Sequence, residues 1–122
     1  MTSLYLVAAI LAFGVGAAHS VLGERYILIR LFKRDNLPKL FGGVDFTKHT
    51  LRFAWHITTV AWWGCAALFV GMAFDCLTPA VVSAVLAVTF LGTAAITLTV
   101  SRGRHLAWPV FLAIGAIAWA GA

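Results

Sequence analysis

Four uncharged apolar runs constrain this chain more than any other feature: the N-terminus to Gly23, Phe53 to Phe74, Cys76 to Ser101, and His105 to Ala122. Crossing the hydrocarbon core of a bilayer takes about 20 predominantly apolar residues. Lipid offers no partner to backbone N–H and C=O groups, so each run has to close its own hydrogen bonds as an α-helix. Composition agrees, with 62% of the 122 residues hydrophobic and only 11% charged, where a soluble domain carries about 25%. The expected fold is all-α, a polytopic membrane protein. One domain, residues 1–122, forms an antiparallel bundle of four transmembrane helices over about 3–31, 48–74, 78–101 and 105–121.

Orientation follows from the basic residues, which collect in short cytoplasmic loops. Arg25, Arg30, Lys33, Arg34, Lys39, Lys48 and Arg52 lie between the first and second runs, and Arg102 and Arg104 between the third and fourth. These connections fall on one side, which places both termini in the periplasm of a bacterial inner membrane. The net charge of +5 is thereby partitioned by topology, so it implies no nucleic-acid partner. The bilayer is the expected partner, with an anionic-lipid contribution. No Lys or Arg precedes the first apolar run, so an uncleaved first helix is expected rather than a signal peptide.

The polar segment from Glu24 to Arg52 is expected to form either a small cytoplasmic lid or a solvated loop anchored by Leu and Phe, with Thr47 capping the second helix. Thr78 and Pro79 signal the start of the third helix, and "SRGR" a sharp hairpin through Gly103. Ala8, Ala12, Gly16 and Ser20 make a stripe of small residues on which another helix can pack closely. Such faces suit a homodimer or docking into a larger membrane complex. Thr89, Thr93 and Thr97 repeat at the same spacing and are expected to bond their own backbone. Trp55, Trp108 and Trp119 sit near helix ends, as interfacial anchors do. Cys65 and Cys76 are too far apart along the chain's expected path to pair within one protomer.

The residues that carry chemistry are the histidines. His19 precedes Glu24 by five positions and His56 follows Arg52 by four, so antiparallel helices bring both to nearly the same depth. Ionisable residues within membranes are rare and tend to mark function. Two ligand sets are consistent with this placement. In one, His19 and His56 are axial ligands of haem b, Gly16 and Gly23 leave room for the macrocycle, and Arg25, Arg52, Arg102 and Arg104 receive the propionates. In the other, His19, His56 and His105, with Glu24, bind a transition metal. His49 and His105 border water, where a structural role is the simpler expectation. No phosphate loop, nucleophilic triad or Cys-x-x-Cys-His haem attachment motif is present, and no catalytic residue is assigned.

The stretches "AAHSVLGERYIL" and "LRFAWHITTVAWWG" resemble small four-helix inner-membrane proteins of bacteria. The architecture is also distantly similar to the four-helix b-type cytochromes of membranes, which hold haem between histidines on different helices. That resemblance implies haem and electron transfer. The alternative function is a non-catalytic accessory or scaffold subunit of a larger membrane complex.

Overall fold

A computed structural model describes residues 1–122. Helix α1 runs over Thr2–Leu31, α2 over Asp45–Ala73, and α3 over Pro79–Ser101; these three are long and apolar enough to cross a membrane. The fourth, α4, covers Ala107–Ala120 and has 14 residues, a rise of about 21 Å. That falls short of the roughly 30 Å hydrocarbon core. The expected start at His105 does not hold, because the hairpin leaves the helix no room before Ala107. Arg102 and Gly103 turn the chain there with φ of 54° and 74°.

The helices stand in a row and not in a closed ring. Helix α1 packs on α2, α2 also on α3, and α3 on α4, with no contact between α1 and either α3 or α4. Only 15 of the 122 residues are buried, and the reason is visible in this arrangement. The outer helices each have one neighbour, and Leu4, Ile10, Leu11 and Ile117 on them are largely exposed.

Local signals explain most boundaries. Thr78 accepts a hydrogen bond from the Val81 amide at 3.2 Å, with Pro79 in the first turn, as the sequence suggests. Thr47 does not cap α2, which begins earlier, at Asp45, and has no side-chain cap. Its hydroxyl instead donates to the Pro38 carbonyl at 2.8 Å and ties down the preceding loop. Lys33 to Asn36 and Pro38 to Gly42 of that loop are largely exposed, the pattern of the solvated alternative. The threonine stripe of α3 bonds its own helix, each hydroxyl donating to the carbonyl four residues back: Thr89 to Val85, Thr93 to Thr89, and Thr97 to Thr93, at 2.7 to 2.9 Å. It lines no polar path. Both cysteines are free.

Helix α1 is irregular at one place. From Gly23 to Leu28 it widens into a π turn, with the Ile29 amide donating to the carbonyl of Glu24, five residues back. Such turns are rare and concentrate at functional sites.

Candidate functional site

The polar residues of α1 and α2 meet on their shared face, at the end where the basic residues gather. Trp55 Nε1 donates to the His19 carbonyl at 2.9 Å, and His19 Nε2 donates back to the Trp55 carbonyl at 3.2 Å. Their rings stack at 4.4 Å with an interplanar angle of 1°. One turn deeper, Thr59 Oγ1 donates to the Gly16 carbonyl at 3.1 Å. A further turn on, Trp63 Nε1 donates to the Phe13 carbonyl at 3.2 Å. Donors at every fourth residue of α2 thus meet carbonyls at every third residue of α1, a ladder that fixes the register of the two helices.

The ladder needs the glycines of α1. A Cβ on Gly16 would lie 2.8 Å from Trp63 Nε1, and one on Gly23 would fall inside the Trp55 indole. Gly23 is required because the Trp55 ring lies directly against its backbone. Trp55 is therefore a helix-to-helix fastener, not the interfacial anchor expected from its place near the helix end.

Beside the ladder runs a second, charged network. Arg52 makes a two-point contact with Glu24, its terminal nitrogen 2.8 Å from Oε1 and its Nε donating to Oε2 at 3.2 Å. The same Oε2 lies 3.2 Å from His56 Nε2. On the other edge of the ring, His56 Nδ1 is 2.9 Å from Ser20 Oγ, which is 2.7 Å from Thr59 Oγ1. The chain Arg52, Glu24, His56, Ser20, Thr59 ends on the Gly16 carbonyl.

Of the residues expected to form one site, the structure joins His56, Glu24 and Arg52 and leaves His19, Arg25 and His105 elsewhere. His19 faces Trp55 and, edge-on at 5.0 Å, Trp62. Arg25 lies over the Tyr26 ring at 5.5 Å. His105 stacks on Phe46 at 5.6 Å, meets Phe53 edge-on at 4.8 Å, and accepts the Ala107 amide on Nδ1 at 3.2 Å. It packs the turn before α4 against α2. No group of three or more His, Cys, Asp and Glu side chains is arranged to hold a metal ion.

Neither expected ligand set is gathered around one point in this structure. A ligating imidazole presents an unprotonated nitrogen to the metal; His19 Nε2 donates to a carbonyl, which leaves Nδ1 as its one lone-pair nitrogen. The two nitrogens of His56 are taken by Glu24 and Ser20, and Arg52 neutralises the one carboxylate present. Sequence reasoning misses Ser20 and Thr59 as site residues. A signal for both is present: Trp55, Thr59 and Trp63 recur every four residues, and Ser20 adjoins His19.

The chain matches no protein-family model, no curated protein and no solved structure.

Proposed function

We propose that the chain is an integral inner-membrane protein, with both termini periplasmic, whose α1–α2 pair holds one exchangeable proton at its cytoplasmic end. A count of hydrogens carries this reading. The contacts from Glu24 to His56, His56 to Ser20, Ser20 to Thr59, and Thr59 to the Gly16 carbonyl need four protons. Each hydroxyl supplies one and a neutral imidazole one, a total of three, because a carboxylate and a carbonyl only accept. The two-point contact with Arg52 favours an ionised Glu24. The fourth proton then belongs to His56 as imidazolium, which donates to Glu24 through Nε2 and to Ser20 through Nδ1.

Proton exchange at His56 therefore changes the number of bonds between α1 and α2, which suits a proton-responsive element. A conduit through the whole membrane is less well supported, because the hydrogen-bonded chain ends on Gly16. The next rung inward is an indole on a carbonyl, which passes no proton onward. Haem b or a transition metal serving redox chemistry or metal handling would have to displace a bond at His56, both of whose ring nitrogens are engaged.

The test is nitrogen NMR of ¹⁵N-histidine-labelled protein in bilayers, with His56→Gln used to assign the signal. Two protonated ring nitrogens at His56 are expected. A His56 that holds a single ring proton, or protein purified with stoichiometric haem or metal, would overturn the reading.

A second reading, an accessory or scaffold subunit, rests on the open row of helices: α1 and α4 each have one neighbour and large exposed apolar side chains. Protein extracted in mild detergent is expected to run as a dimer or with a partner by light scattering. A lone monomer would remove this alternative.

A further inference from the structure

Outside the ladder, α1 and α2 form an open groove of ≈ 450 Å³, lined by residues that include Ala18, His19, Leu22, Tyr26, Trp55 and Trp62. Its walls are almost wholly apolar, and the N–H groups of the His19 and Trp55 rings are turned to each other's carbonyls. The groove follows α1 from Val15 to Ile27, roughly 18 Å of helix. It ends at the π turn, and there the chemistry changes.

The guanidinium groups of Arg25 and Arg30 lie over one Tyr26 ring, at 5.5 and 5.6 Å from its centroid. On a regular α-helix, residues five apart point about 140° away from each other. A π turn closes its hydrogen bonds over five residues and so brings such a pair to one side. Tyr26 lines the groove, so the two arginines over its ring stand beside the groove's end. Neither arginine has a carboxylate partner, since both ion pairs in the structure use Glu24, with Arg52 and His56.

We propose that this groove binds an anionic phospholipid, with its phosphate between Arg25 and Arg30 and an acyl chain along Ala18, Leu22 and Trp62. The inference rests on the reading that α1 and α2 cross a bilayer. Charge complementarity selects the lipid class. Two unpaired guanidinium groups beside an apolar channel match a headgroup with net negative charge above a hydrocarbon tail. A zwitterionic headgroup brings its own cation to the same arginines and gains less.

The probe is tryptophan quenching in vesicles that contain brominated phosphatidylglycerol or brominated phosphatidylcholine at equal mole fraction. The protein carries Trp108→Phe and Trp119→Phe, which keeps the indoles of α2 and removes those of α4. A preference for phosphatidylglycerol of roughly ten-fold is expected from two arginines near the headgroup. Arg25→Gln with Arg30→Gln should bring the ratio to about one. Arg102→Gln with Arg104→Gln removes the same charge elsewhere and should leave the ratio unchanged, with circular dichroism confirming that each variant is helical. Equal quenching by both lipids in the parent, or equal loss in the two double variants, would overturn the site while leaving bilayer insertion intact. Absence of quenching by either lipid would overturn both.

Discussion

Replacing Gly23 with alanine is expected to cost about 2–4 kcal/mol of α1–α2 association, because the new methyl group would occupy the space of the Trp55 indole. Overpacking a fitted interface typically costs about 1–3 kcal/mol. The ring cannot swing aside without losing its bond to the His19 carbonyl and its stack on the His19 ring. An interhelical hydrogen bond in a membrane contributes about 0.6 kcal/mol, so the steric part dominates. Equilibrium unfolding in mixed micelles with rising SDS, followed by tryptophan fluorescence, measures the difference. Gly14→Ala is the matched control, since a Cβ there meets nothing within 4 Å. It should leave stability unchanged or raise it, alanine being the better helix former by about 1 kcal/mol. If both variants behave alike, close approach at Gly23 is not what holds the helices together.

Glu24→Gln is expected to cost about 2 kcal/mol and to remove the second ring proton of His56. Glutamine keeps the size of the side chain but removes the negative charge that Arg52 and His56 share. Breaking a fully buried pair costs about 3–5 kcal/mol. Here the Arg52 and Glu24 side chains are 35% and 29% exposed, so water recovers part of the loss. Hydrogen bonds to charged groups, worth about 1.5–3 kcal/mol, are the better guide. Arg52→Gln should cost less when Glu24 is already Gln, with a coupling of about 1–2 kcal/mol in the double-mutant cycle. Full additivity would mean that Glu24 and Arg52 meet without consequence. The same micelle unfolding measures the energies, and the histidine NMR spectrum measures the proton.

The helical class and the long apolar spans are legible in the sequence because runs free of charge leave the backbone no other way to satisfy itself in lipid. The matched depth of His19 and His56 is legible too, from their distances to Glu24 and Arg52. Which way each side chain points is not. Depth counts residues along a helix, whereas facing depends on rotation, and a single position turns a side chain by about 100°. That is why His19 meets Trp55, while its neighbour Ser20 meets His56. The π turn leaves no pattern in the sequence, because the segment from Gly23 to Leu28 mixes apolar and charged residues without a period to break. Spacing places Arg52 near the site and suggests a cofactor's carboxylates as its partner. The protein supplies its own carboxylate in Glu24.

The ladder between α1 and α2 also distributes sequence constraint unevenly. All three rungs draw the proton from a side chain of α2 and the lone pair from the main chain of α1. A main-chain carbonyl is present whatever residue bears it, so the accepting helix must only be thin enough where the indoles arrive. A foreign helix with glycine at the positions of Gly16 and Gly23 would still accept every rung. No such freedom exists on α2, where Trp55, Thr59 and Trp63 are each the sole source of their bond. Within the ladder, partner choice is therefore written on α2 and merely permitted by α1, whose own side chains enter through His19, Ser20 and Glu24.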